Sequence, residues 1–154
     1  MFFTAVVLIP SLGAQVSQQW VGIYNHLTNQ DIAQGLTVDN SGNVYTFGWV
    51  NNTPTSGTDY GLVKYNSSGV QQWFRMYTGL FNLLDYGDDI DIDNSGNIYV
   101  TGRTDAILGN GNCITIKYNP AGDSLWVRRY EYGYCQRLLV DNTGNVYVVG
   151  RKGD

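Results

Sequence analysis

The phrase VDNSGNVYTFG at 38–48 returns as IDNSGNIYVTG at 92–102 and as VDNTGNVYVVG at 140–150. Each copy sets a short polar block between two runs rich in Val, Ile and Tyr. Asp, Asn and Ser favour the early positions of a type I turn, and Gly accepts the left-handed conformation that follows without a side-chain clash. A type I turn closed by such a glycine joins antiparallel strands. Each phrase therefore predicts a β-hairpin. Its recurring members are Asp39, Gly42, Tyr45 and Gly48, then Asp93, Gly96, Tyr99 and Gly102, then Asp141, Gly144, Tyr147 and Gly150.

Two further signals recur alongside it. Trp-x-x-x-Tyr appears as WVGIY at 20–24, WFRMY at 73–77 and WVRRY at 126–130, with Trp20, Trp73 and Trp126 each 53 residues apart. LVKYNSSG at 62–69 matches TIKYNPAG at 115–122 at the same displacement of 53. The second block repeats the turn grammar, with Pro120 placed where its fixed φ suits a turn. Between the turns lie runs of strand length: 36–38, 44–48, 60–65 and 70–77, with a variable loop after the second. In an extended strand Trp73 and Tyr77, or Trp126 and Tyr130, share a face. No 3.6-residue periodicity supports helical repeats.

Four antiparallel strands in a repeated unit of about 50 residues predict an all-β array of β-propeller blades. The expected organisation is a lone fourth strand at 17–30, a blade at 31–78, a second at 85–131 and an incomplete one at 134–154. The pattern Asp-x-x-Gly-Asn-(Val/Ile)-Tyr-x-x-Gly, followed by Lys-Tyr-Asn-x-x-Gly and Trp-x-x-x-Tyr, resembles the bacterial beta-propeller repeat family SBBP over nearly everything after Ser17. That resemblance implies ring-shaped domains of exported or surface proteins, mostly without assigned chemistry. About two and a half blades do not close a ring of four to eight, so the chain reads as part of a longer frame. Its expected neighbours are further propeller blades or copies of itself.

Composition narrows the function classes. The net charge of −4 and nine scattered basic residues argue against nucleic acid. Residues 1–16 contain the apolar, uncharged run FFTAVVLIPSLGA, too short to span a bilayer and fitting an export signal cleaved near Ala14. It lacks a basic start, and a buried first strand is the alternative. Cys113 and Cys135 fit either one disulfide in an oxidising compartment or two half-buried thiols.

Few residues invite chemistry. The run LDYGDDIDIDNSGN at 84–97 carries Asp85, Asp88, Asp89, Asp91 and Asp93. Hard cations take carboxylate oxygens, and alternation would put Asp89, Asp91 and Asp93 on one side of a strand, making them candidate cation ligands. The other copies hold Gly35 and Thr37, or Arg137 and Leu139, at the positions of Asp89 and Asp91. That favours a solvated strand, with Asp93 already explained by its turn. His26 is the only histidine and Glu131 the only glutamate, so neither a triad nor a carboxylate pair is assembled. No cofactor is expected. Trp49 and the loops 49–59 and 103–112 escape the repeat and are where ligand-reading residues would lie.

The expected function is a non-enzymatic β-propeller scaffold of a secreted or cell-surface bacterial protein, binding protein or glycan. The alternative is part of a secreted polysaccharide-acting hydrolase whose catalytic residues lie outside this chain.

Overall fold

The computed structural model describes residues 3–10, 16–25, 30–53, 57–81, 83–107, 110–131 and 133–152. Their regular structure is entirely β, paired antiparallel throughout, and the array is not closed. No helix among them is long and apolar enough to cross a membrane. The strands are β1 (Phe3–Pro10), β2 (Val16–Tyr24), β3 (Ile32–Val38), β4 (Val44–Thr53), β5 (Gly57–Tyr65) and β6 (Gln71–Tyr77). They continue as β7 (Leu84–Ile92), β8 (Ile98–Ile107), β9 (Asn110–Tyr118), β10 (Ser124–Tyr130), β11 (Gly133–Val140) and β12 (Val146–Lys152). Two four-stranded sheets, β3-β4-β5-β6 and β7-β8-β9-β10, are flanked by the pairs β1-β2 and β11-β12.

The repeated phrases are the hairpins between β3 and β4, β7 and β8, and β11 and β12. Gly42, Gly96 and Gly144 adopt φ of 77°, 79° and 85°, the left-handed region that side chains resist. Each donates its amide to the carbonyl of the Asp three residues earlier, at 2.9–3.0 Å. The last glycine of the phrase has a different reason. Register slips by one residue between Ala33 and Gly35, Gly87 and Asp89, and Cys135 and Arg137, so each first strand carries a β-bulge at Gln34, Asp88 or Gln136. A bulge bends its strand and increases the local twist. A Cβ on Gly48, Gly102 or Gly150 would run into the carbonyl oxygen of Ile32, Tyr86 or Tyr134.

The sheets stack face to face. One face of the β3–β6 sheet contributes Tyr45, Phe47, Tyr60 and Leu62, packed against Ile90, Ile98, Val100, Ile114, Ile116 and Tyr118 of the next sheet. Its other face contributes Val44, Val63 and Tyr65, packed against Trp20 and Tyr24 of β2. Alternate residues of one strand therefore enter different cores, each fully buried large side chain contributing about 1.5–3 kcal/mol. On the far side, β11 lies against β7, β8 and β9, burying Tyr134, Cys135 and Leu138. Cys113 of β9 and Cys135 of β11 form a disulfide, with Cα atoms 5.0 Å apart.

Residues 3–10 form β1 and pair with β2 from Phe3↔Tyr24 to Pro10↔Val16. The strand at 17–30 is therefore not alone. An apolar stretch beside a β-forming neighbour satisfies its backbone groups by pairing. The segments 49–59 and 103–112 are mostly strand, because the ladder continues through Trp49↔Tyr60, Val50↔Asp59 and Asn51↔Thr58, and through Arg103↔Cys113 and Thr104↔Asn112. Backbone pairing does not require the repeated side chains. Trp20 and Trp73 are half-buried; they pack against the two cores and cover Gly69 and Gly122 in the turns of the following sheet.

Candidate functional site

The hairpin aspartates are occupied by their own turns. Asp93 Oδ1 accepts the amides of Ser95 and Asn97, each at 2.9 Å, and Oδ2 accepts Asn97 Nδ2 at 2.8 Å and the Tyr99 hydroxyl at 3.0 Å. Asp39 receives the same four bonds from Ser41, Asn43 and Tyr45. Asp141 receives them from Thr143, Asn145 and Tyr147, with the Thr143 hydroxyl in addition. This accounts for the Asn and Tyr that follow the turn glycine in the phrase. Burial pushes the Asp39 and Asp93 carboxyls up, but these hydrogen bonds outweigh it and hold both below the ordinary carboxylate range. Asp141 is also held low, chiefly by the side chains of Thr143 and Asn145.

The acidic run of β7 is divided among separate tasks. Asp85 is buried; it accepts the Gly79 amide at 2.6 Å, the Thr104 hydroxyl at 2.6 Å and the Asp105 amide at 2.8 Å. It ties the approach to β7 onto the end of β8. Asp31, 54 residues earlier, is likewise buried and accepts the Asn51 amide at 3.3 Å. The Asp31–Asp85 repeat has the same interval of 54 as Asp39–Asp93, but the denser acidic run around Asp85 obscures it in the sequence. Asp105, at φ 55°, receives the Phe81 amide at 3.0 Å and pairs with Arg129 at 2.8 Å.

Asp89 and Asp91 point at the neighbouring pair of strands. Asp89 Oδ2 accepts the Leu138 amide at 2.9 Å and Asp91 Oδ2 accepts the Val140 amide at 2.8 Å. Two carboxylates on alternate residues thus cover the inner edge of β11, whose other edge pairs with β12. The candidate cation ligands Asp89, Asp91 and Asp93 do not converge: each carboxylate is aimed at a different set of amides. Among the described residues no group of three or more His, Cys, Asp or Glu is arranged to hold a metal.

Asp88, the bulge residue, differs from its neighbours. Burial pushes its carboxyl up to about 6 and Asp89 adds to the effect, while Arg103 and Arg137 oppose it. The equivalent bulge residues are Gln34 and Gln136. Trp49 meets Tyr86 edge-on at 5.7 Å, so this aromatic outside the repeat packs between sheets. His26 lies outside the described residues, and Glu131 is exposed beside the disulfide.

The feature with binding character is at the hairpin end. A cleft of about 530 Å³ opens between the turns of the two four-stranded sheets, lined by Asn40, Ser41, Tyr45, Lys64, Asn94 and Ser95 among others. Lys64 Nζ sits 5.1 Å from the Tyr45 ring centroid. Side-chain amides, hydroxyls and an ammonium beside an aromatic ring can exchange hydrogen bonds with a hydroxyl-rich ligand. These residues belong to the repeated motifs, and repetition marks them first as scaffold. The cleft exists only because two turns are stacked side by side.

Residues 72–109, from β6 through β8, match the family model described as a beta-propeller repeat, SBBP. No curated protein matches the chain.

Proposed function

We propose that this chain is a non-enzymatic β-propeller segment of an exported or cell-surface bacterial protein, acting as a scaffold for protein or glycan binding. The observation that carries the proposal is the beta-propeller repeat at 72–109, set in two four-stranded sheets with matching register. The hairpin-end cleft supports a glycan in particular, since its lining offers donors and acceptors suited to sugar hydroxyls. The Cys113–Cys135 disulfide supports export, because such bonds persist in oxidising compartments. The apolar run at 2–14 suits an export signal as well as a first strand.

A glycan array tests the binding role. Oligosaccharides retained by the wild type and lost by an Asn40→Ala/Asn94→Ala chain are the expected result. An array blank at millimolar ligand, together with no partner captured from cell envelope, would sink it. Sequencing the N-terminus of the protein isolated from its cells tests the role of 1–16: retention of Phe3 keeps β1, and a start at Gln15 makes the segment a cleaved signal.

A further inference from the structure

We propose that the hairpin-end cleft takes a neutral glycan, one whose sugars carry hydroxyl or acylamino groups and no ionised substituent. This rests on the glycan reading above and narrows it by asking which groups of the cleft are open to a ligand. Both walls are turns of the four-stranded sheets. One carries Asp39, Asn40 and Ser41, the other Asp93, Asn94 and Ser95, and Lys64 lies between them with Pro120.

The carboxylates are closed to a ligand. An ionised carboxylate accepts at about four positions. Asp39 fills them with the amides of Ser41 and Asn43, the Asn43 side chain and the Tyr45 hydroxyl. Asp93 fills them in the same way, and Lys117 Nζ stands 3.7 Å from its Oδ2. An ammonium on a ligand would find no open carboxylate to receive it, and it would meet Lys64 besides.

An anion fares no better. The hydrogen bonds that hold both aspartates below the ordinary carboxylate range keep them ionised. Lys64 is the one cation in the lining, and it is engaged: its Nζ donates to the Pro120 carbonyl at 3.4 Å and lies 5.1 Å from the Tyr45 ring centroid. Two negative charges against one positive leave the cleft repelling a carboxylate or sulfate group.

The open groups are neutral. Asn40, Ser41, Asn94 and Ser95 are exposed, and among the described residues their side chains make no hydrogen bond. The turn itself does not require this. At the same position of the third hairpin, the Thr143 hydroxyl donates to Asp141 and accepts from Asn145, whereas the two serines leave theirs to the cleft. Two amides and two hydroxyls offer both donors and acceptors, the complement of sugar hydroxyl and acylamino groups. A peptide would need apolar seats for its side chains, and Val38 is the one exposed large apolar side chain in the lining.

The test is the full chain on an array holding neutral cello-oligosaccharides and N-acetylglucosamine oligomers, acidic galacturonic acid oligomers and amine-bearing glucosamine oligomers. Each retained sugar is then titrated in solution at about 20 mM and about 500 mM NaCl. Neutral members should be retained, with affinity changing less than about twofold, because salt screens only interactions between charges. Ser41→Ala/Ser95→Ala should weaken binding about five- to a hundredfold for two lost hydrogen bonds, with the urea midpoint unchanged. In the wild type, the Asn40 and Asn94 side-chain amide signals should shift along the same titration, a reading independent of how the variant folds. Retention of acidic or amine-bearing sugars alone, or a tenfold loss of affinity with salt, overturns the neutral ligand and leaves the glycan reading standing. A neutral sugar bound equally by the double variant, without the amide shifts, overturns the cleft as its site. A blank array removes the glycan reading and this inference together. An envelope protein captured by the wild type and lost by the double variant gives the cleft to a protein, which overturns the inference and keeps the scaffold.

Discussion

At Asp93 one carboxylate gathers two backbone amides, a side-chain amide and a phenol, and Lys117 approaches it at 3.7 Å. Removing the acceptor leaves those donors to find water or nothing, which costs about 1–3 kcal/mol. Asp93→Ala should therefore lower stability by about 2 kcal/mol, read from the shift of the urea midpoint; a change within error would remove the turn from the list of stabilising features. The same hydrogen bonds fix the sign of an acid effect. Asp39 and Asp93 have folded pKa values below the unfolded one, so their contribution is complete above the unfolded value of about 3.9 and fades as pH falls through the folded value. Asp88 acts in the opposite sense. Its folded pKa of about 6 exceeds the unfolded one, so its ionisation weakens the fold as pH rises from about 4 through 6. The wild type should be most stable between these effects. Asp88→Asn should gain about 1–2 kcal/mol at pH 7.5, after discounting for partial exposure, and nothing near pH 4. Equal gains at both pH values would show that charge is not the cause.

Strands impose a different economy from residues. A strand at the edge of a sheet leaves an unpaired row of amides, and β11 meets this with side chains of β7 rather than with another strand. Asp89→Ala and Asp91→Ala should speed hydrogen exchange at Leu138 and Val140 respectively, by roughly ten- to a hundredfold if each bond contributes about 1.5–3 kcal/mol. Amides of β8 and β9 should be unaffected. Uniform acceleration across all strands would instead indicate global destabilisation, and the two aspartates would lose their assigned role as an edge cover. The bulge in each first strand belongs to the same scale, since it brings the strand-one carbonyl over a glycine that can hold nothing larger.

For the molecule as a whole, each sheet touches its neighbours and little else, so stability is close to a sum of sheets and the interfaces between them. The β11–β12 pair buries few side chains, with Tyr147, Val148 and Val149 exposed. The Cys113–Cys135 bond, spanning 22 residues, fastens it to the sheet before it. A loop of that length contributes about 3 kcal/mol in the chain-entropy account. Replacing both cysteines by Ala should therefore lower stability by about 3 kcal/mol and release β11–β12 first, seen as protease cleavage near 131–133 ahead of the central sheets. Cleavage in the central sheets at the same rate would show that the bond holds no separate element.

Hairpins, strand order within a unit and the all-β class were determined by the sequence itself. Asp-x-x-Gly turns, period-two alternation and a shared displacement of 53 residues are local physics repeated, and repetition made each signal check the others. The tertiary structure decided what local physics leaves open. Phe3–Pro10 pairs with β2 because a neighbouring strand was available, while its composition suits an export signal as well. Asp89 and Asp91 met backbone amides 49 residues away, which no spacing in the sequence encodes. Cys113 and Cys135 are joined because β9 and β11 lie side by side. The hairpin-end cleft arose from stacking two turns that, read singly, are only turns. Turn chemistry and strand periodicity act within a few residues and survive in any context; partners across sheets are chosen by packing, which acts only once the chain has folded.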